Sequence, residues 1–122
     1  MSSYPVYLGK YCVKKDDSSV VNYVIQVYNG DKIYEFGVIS LNRNNKSIED
    51  VYVHKSYILY STESILLGNI PSTKSLKDLI RYSKSFSNKK NTRVNSSESF
   101  CEYLCNFLDF DFAWAFDFLR DD

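Results

Sequence analysis

The stretch VVNYVIQVYNGDKIYEFGVISL, residues 20–41, decides the fold. Two runs rich in Val, Ile and Tyr, residues 20–28 and 32–41, flank a tripeptide in which Asn29 precedes Gly30. β-Branched and aromatic residues favour strands, and Asn-Gly between two such runs is the strongest short-range signal for a β-hairpin. The stretch therefore predicts two antiparallel strands joined by a tight turn.

Further strands are predicted on both sides of this hairpin. Residues 4–14 are rich in Tyr and Val, and residues 51–60 follow a polar turn at 42–46. Consecutive strands joined by short turns usually pair with each other. We therefore expect an α+β fold that begins with an N-terminal antiparallel β-meander of about four strands. The length of the chain is that of a single domain, residues 1–122.

The pattern changes to helical spacing in the second half of the chain. Apolar residues spaced three and four apart predict a helix over residues 74–86, with Ser72 or Thr73 as its N-cap. A second helix is predicted from a cap at Ser97 to about Phe107. One or two helices are therefore expected to follow the meander.

The terminal stretch LDFDFAWAFDF, residues 108–118, alternates strictly. Large apolar residues take the even positions, and Asp or Ala takes the odd positions. A period of two indicates an amphipathic strand. A helix continuing from Phe100 would instead place Asp and Phe around its whole circumference. We therefore predict a C-terminal strand with one aromatic face and one acidic face.

The charge of the chain is divided between its two ends. Residues 1–94 contain 14 Lys and Arg against 8 Asp and Glu, whereas residues 95–122 contain 1 against 7, so that the net charge of the whole chain is zero. Charge asymmetry of this kind points to a charged partner and says little about the fold. The acidic end is also the aromatic end.

Composition and cysteine usage indicate where the protein works. The start of the chain lacks the basic and apolar regions of a signal peptide, and no apolar run approaches the length that a membrane span needs. Three cysteines are an odd number, which is typical of reduced thiols inside a cell. We therefore expect a cytoplasmic protein that does not engage a membrane.

No motif points to catalysis or to a cofactor. His54 has no flanking motif, and Cys101 and Cys105 form only half of a usual zinc site. The four glycines are scattered and do not form a phosphate-binding loop. We therefore expect a protein that is not an enzyme and that takes no metal or other cofactor.

The leading hypothesis is a protein-binding inhibitor. Aromatic residues supply contact area and acidic residues supply orientation and fast association, so that the C-terminal segment would cover a basic surface of a protein partner, such as a toxin or a defence nuclease. In general character the chain resembles bacterial toxin-immunity proteins and phage-encoded inhibitors of host defence, which are small and poor in motifs. The predicted partner-binding residues are Asp109, Asp111, Asp117, Trp114, Glu98, Glu102 and Asp121.

Two alternatives come from other classes of protein. A nucleic-acid-binding accessory protein would use the sheet face of the meander and a basic stretch, with Lys84, Lys89, Lys90 and Arg93 on phosphates and Phe86 or Tyr82 stacked on a base. A self-associating structural or viral subunit would instead pair the terminal strand with that of another copy. The sequence leaves the oligomeric state open.

Overall fold

The structure, a computed structural model, describes residues 4–15, 18–43, 46–56, 63–86 and 96–120. Its elements follow one another as β1 (Pro5–Lys15), β2 (Ser18–Asn29), β3 (Lys32–Arg43), β4 (Lys46–Ser56), β5 (Glu63–Asn69), α1 (Leu76–Lys84), α2 (Ser97–Phe107) and α3 (Phe112–Leu119). The chain thus has the α+β class that the sequence predicts, with a strand-rich first half and helices after it.

The five strands form one antiparallel sheet in the order β4-β3-β2-β1-β5. The predicted meander of four strands is confirmed, and the hairpin between β2 and β3 turns at Gly30, whose φ of 65° is one that glycine adopts at little cost. The fourth strand runs over Lys46–Ser56 rather than 51–60, and residues 57–60 lie outside the described residues. The sequence reading missed β5, which adds to the far side of β1.

The hydrogen-bonded pairing between β2 and β3 covers only part of their length, and helix α2 supplies a partner for a backbone donor of β2 beyond it. The two strands pair from Asn29↔Lys32 to Ile25↔Phe36. Beyond this point the backbone N–H of Tyr23 donates to the buried Oγ of Ser97 in α2, at 3.0 Å. Ser97 is therefore not the N-cap that the sequence predicts, because its hydroxyl satisfies a sheet donor. The cap is Ser96, whose Oγ accepts from the N–H of Ser99 at 3.1 Å.

The first helix also begins later than predicted. The N-cap is Ser75 rather than Ser72 or Thr73, because Asp78 lies three residues after Ser75 and completes a capping box. Ser75 Oγ accepts from the N–H of Asp78 at 3.1 Å, and the Asp78 carboxylate accepts from the N–H of Ser75 at 3.0 Å. Two backbone donors at the helix start are satisfied in this way.

All three helices pack on the same face of the sheet, α1 against β4, α2 against β2 and β3, and α3 against β5 and β1. Their buried side chains meet those of the central strands in one core, which includes Val6, Leu8, Ile25, Val27, Phe36, Leu79, Phe100, Leu104, Leu108 and Phe112. Each large apolar side chain buried there contributes about 1.5–3 kcal/mol relative to exposure. Side chains of the alternate parity form the opposite face, on which no helix of the described residues packs.

The predicted C-terminal strand is wrong. Residues 108–118 contain Leu108, the C-cap of α2, then a short connection and most of helix α3, which spans Phe112–Leu119. The connection includes Asp109 in the left-handed region, with φ 64°, so that α3 starts afresh instead of continuing α2. A fresh helix from residue 112 places Phe112, Ala115, Phe116 and Leu119 on one face, and burial of that face outweighs the period-two pattern.

Candidate protein-binding surface

Helix α3 is positioned by an aspartate that the sequence reading assigned to a partner. The Asp111 carboxylate accepts a hydrogen bond from the N–H of Trp114 at 3.1 Å, which makes Asp111 the N-cap of the helix. Asp is among the best N-cap residues, because its oxygen satisfies a backbone donor that the helix leaves free. Asp111 thus has a structural role in addition to an exposed charge.

Two large aromatic side chains point away from the core on α3. Phe116 faces inward, with its ring centroid 5.0 Å from that of Tyr23. Trp114 and Phe118 remain 57% and 66% exposed, and their ring centroids lie 6.2 Å apart. Residues four apart on a helix are neighbours on its surface, so that the two rings form one apolar patch.

Exposed carboxylates lie close to this patch along the chain. Asp109, Asp111 and Asp117 are all exposed, and Asp117 lies three residues from Trp114 and next to Phe118 in sequence. Asp117 forms an exposed ion pair with Arg120 at 3.4 Å, the kind of pair that adds about 0–1 kcal/mol. We call Trp114, Phe118 and these three aspartates, together with Glu98 and Glu102 of α2, the acidic–aromatic surface.

The two glutamates continue the negative charge from α3 onto α2. Glu98 and Glu102 are exposed and lie one helical turn apart. Burial, with further contributions from the carboxylates of Glu102 and Asp111, raises the pKa of the Cys105 thiol to about 12.

The cysteines of α2 are poor nucleophiles. Cys101 and Cys105 are free thiols in the core, and burial raises the pKa of Cys101 well above its ordinary value, with contributions from Cys105 and Glu98. A thiol must lose its proton to attack a substrate or to bind a metal. His54 is exposed on β4, and no three His, Cys, Asp or Glu side chains of the described residues are grouped as metal ligands.

The predicted partner-binding residues are only partly what the alternation suggested. The even-numbered apolar residues of 108–118 do not share one face: Leu108 and Phe112 are buried, whereas Trp114 and Phe118 are exposed. Phe118 was missed as a surface residue, although its spacing of four from Trp114 after a capping aspartate is a helical signal. Asp121 lies outside the described residues.

The predicted nucleic-acid surface is also mostly outside the described residues, namely Lys89, Lys90 and Arg93. Lys84 is exposed in the last turn of α1. The aromatic rings predicted to stack on a base are already engaged: Tyr82 stacks on Phe107 with centroids 4.3 Å apart, and Phe86 stacks on Tyr103 at 5.4 Å. These rings join α1 to α2, and both remain partly exposed.

A polar network that the sequence did not reveal lies on the sheet face opposite the helices. The Glu35 carboxylate accepts from the hydroxyls of Tyr11 and Tyr52, the latter at 2.8 Å, and from Nε2 of Gln26 at 3.5 Å. Burial and the carboxylate of Glu35 raise the pKa of Tyr52. The Tyr52 ring lies against Gly37, where a Cβ atom would stand 2.6 Å from the tyrosine oxygen. The network ties four strands together, which gives it a structural role.

Comparison of the chain with protein-family models, with curated proteins and with solved structures finds no match. Among the described residues, none of the helices is long and apolar enough to cross a membrane, and the longest of them, α2, has 11 residues. What the protein does has to be inferred from the chemistry of its surfaces.

Proposed function

We propose that this protein is a non-catalytic, cytoplasmic protein-binding inhibitor, which covers a basic surface of its partner with the acidic–aromatic surface. Bacterial toxin-immunity proteins and phage-encoded inhibitors of host defence work in this manner, and a toxin or a defence nuclease is the kind of partner that fits. The observation that carries the proposal is the exposed pair Trp114 and Phe118, set among the carboxylates of α3.

The exposed pair supports the proposal because the protein buries its other described C-terminal aromatic rings. Phe100 and Phe112 are in the core, and Phe107, Phe110 and Phe116 pack against it. An exposed Trp next to an exposed Phe gains little for folding, yet such residues supply most of the binding energy when a partner covers them. Depletion of lysine and enrichment of Trp and Phe are typical of the centre of an interface.

The charge around the pair supports a basic partner. Residues 96–120 contain five carboxylates, namely Glu98, Glu102, Asp109, Asp111 and Asp117, against the single cation Arg120. A one-signed surface raises the rate at which an oppositely charged partner is found, by about 10–10³ at low ionic strength. Such steering suits an inhibitor, which has to reach its target before the target acts.

The proposal is tested by capturing the partner of the tagged protein from a lysate of its source. Mass spectrometry identifies the retained protein, and its association rate and affinity are then measured with both proteins purified. The test variant is Asp109→Asn/Asp111→Asn/Asp117→Asn. Asn matches Asp as an N-cap and tolerates the left-handed backbone of residue 109, so that the variant removes three charges and keeps the fold.

A matched control separates surface charge from net charge. Asp31→Lys changes the charge by two units in the exposed β2–β3 turn, away from the helices. We expect the triple variant to associate about tenfold or more slowly at low salt, with the difference vanishing at high salt, and the control to associate like the native protein. An unchanged rate in the triple variant, or capture of nucleic acid in place of a protein, would contradict the proposal.

A further inference from the structure

The two edges of the sheet differ in how they are protected. The edge strand β4 contains five acidic or basic residues, Lys46, Glu49, Asp50, His54 and Lys55. The other edge strand, β5, is uncharged from Ser64 to Gly68, with the sequence SILLG. Natural proteins usually place charge or proline on an edge strand, because its open backbone groups pair readily with another strand. Within the part of the chain that the structure describes, β5 has neither charge nor proline between Ser64 and Gly68.

Helix α3 packs against β5 and β1. At the start of the helix, the Phe110 ring lies against Gly68 of β5. At its end, the backbone carbonyl of Leu119 accepts from Nζ of Lys10 at 2.8 Å, and Lys10 pairs with Glu63 at the first residue of β5. The helix therefore runs antiparallel to β5, from the Gly68 end to the Glu63 end.

The exposed pair lies on the flank of α3 that faces the β5 edge. The opposite flank carries Phe116, which contacts Tyr23 of β2. Strands β2 and β5 are on opposite sides of β1. An α-helix turns about 100° per residue, so that Phe118 lies about 200° from Phe116 around the axis. Phe118 thus lies on the flank of α3 opposite Phe116, towards the β5 side of the sheet, and Trp114 lies one helical turn before it, further towards solvent. Leu66, which is 51% exposed, lies on the other face of β5.

We infer that the β5 edge, Leu66 and the exposed pair of α3 form a strand-addition site for an extended, basic segment of a protein partner. The segment pairs its backbone with β5, whose alternate residues point their N–H and C=O groups outward. One set of its alternate side chains contacts Trp114 and Phe118, and the other set lies next to Leu66. The inference rests on the proposed function and adds the form in which the partner is bound.

Charge selects the occupant. Glu63 lies at one end of β5, and Asp109 and Asp111 flank Phe110 at the other end. An added segment of about seven residues, some 24 Å long, therefore meets two carboxylates at the Gly68 end of β5, which favours Lys or Arg at that end of the segment. At the other end, Glu63 has Lys10 as its cross-strand neighbour. A second copy of this chain is disfavoured as the occupant, because edge-to-edge pairing would bring two acidic–aromatic surfaces together.

The probe for the test is a library of random twelve-residue peptides displayed on phage, selected on the purified protein. We expect enriched sequences in which apolar residues alternate over five or six positions with Lys or Arg beside them. One selected peptide is then synthesised in two forms, each N-methylated at alternate residues of one parity. Because an added strand uses the N–H groups of one edge only, methylation of one parity should weaken binding about tenfold or more, and methylation of the other should leave it nearly unchanged.

Protein variants locate the peptide-binding site and distinguish strand addition from the broader proposal that the protein binds a protein partner. Leu66→Ser and Phe118→Ser should each weaken peptide binding about fivefold or more, whereas the control Ile39→Ser, an equally exposed apolar residue on β3, should not change it. Failure to enrich any peptide, equal loss with both methylated forms, or a β5-paired dimer at high protein concentration would overturn the inference. If the partner captured from lysate depends on Phe118 but not on Leu66, strand addition fails while the proposed function stands.

Discussion

The aromatic rings between α1 and α2 and the exposed pair on α3 consist of similar residues in opposite environments. Tyr82, Phe86, Phe100, Tyr103 and Phe107 contact one another with centroids 4.3–5.8 Å apart, packed against the core. Trp114 and Phe118 contact each other at 6.2 Å and are otherwise largely in solvent. The difference separates aromatic residues that stabilise the fold from aromatic residues that are available to a partner.

The largest expected effect is on the packed rings. Phe100→Ala removes a fully buried ring and leaves a cavity beneath Phe86, so that the free energy of unfolding should fall by about 3–5 kcal/mol. The matched change Phe118→Ala should lower it by no more than about 0.5 kcal/mol. Urea unfolding followed by circular dichroism measures both values, and equal losses would abolish the distinction between the two sets of rings.

The next largest effect is expected at alkaline pH, which should lower the free energy of unfolding through the two buried thiols of α2. Cys101 and Cys105 keep their protons in the folded state because burial raises their pKa, to about 12 for Cys105 against 9.0 for an ordinary thiol. Above pH 9 the unfolded state therefore binds fewer protons than the folded state, and stability falls with rising pH by up to about 1.4 kcal/mol per thiol per pH unit.

Urea unfolding at pH 8 and pH 10.5 measures this slope. The control Cys101→Ala loses one thiol, so that its stability should depend less steeply on pH even though it is less stable at pH 8. A native protein equally stable at both values would show that the thiols are not as deeply buried as the fold requires.

Tyr52 is an intermediate case, an aromatic ring held on the helix-free face by its hydroxyl group. In Gly37→Ala, the new Cβ would stand 2.6 Å from the tyrosine oxygen, so that the ring must move and lose its bond to Glu35. We expect a loss of about 1–3 kcal/mol. The comparison variant Tyr52→Phe removes only the hydroxyl, and the double variant should be more stable than the sum of the two losses predicts. Additive losses would mean that Gly37 acts independently of Tyr52.

A smaller effect is expected at the cap that holds the exposed pair in place. Asp111→Ala removes the acceptor for the N–H of Trp114 and should lower the free energy of unfolding by about 1 kcal/mol, whereas Asp111→Asn should lower it by only a few tenths. Amide hydrogen exchange in α3 should accelerate in the Ala variant alone. Faster exchange in both variants would show that the charge, and not the cap, holds the helix.

The sequence predicted the elements whose residue pattern fits only one kind of secondary structure. Runs of Val, Ile and Tyr on either side of Asn29 and Gly30 predicted the central hairpin, and apolar spacing predicted α1 and α2. The pattern of residues 108–118 fits two kinds of secondary structure. Alternating Phe and Asp fit a strand, and the same residues fit a short helix once the preceding helix ends before Asp109. A continuous helix from Phe100 was the only helical arrangement considered, so that Asp111 was not recognised as a cap.

The candidate surface was predicted in part for the same reason. Trp114, Asp109, Asp111 and Asp117 are exposed, whereas the exposure of Phe118 and Leu66 follows from how α3 and β5 are placed by tertiary packing. The network around Glu35 depends on side chains from four strands meeting over two glycines. Such long-range contacts leave no local pattern in the sequence.

The most direct test of the central claim combines stability and binding in one variant. Trp114→Ser/Phe118→Ser removes the exposed pair and should leave the free energy of unfolding within about 1 kcal/mol of the native value. We predict that the same variant loses about thirtyfold or more in affinity for the captured partner. A variant that unfolds readily, or one that binds the partner as tightly as the native protein, would contradict the assignment of Trp114 and Phe118 to a protein-binding surface.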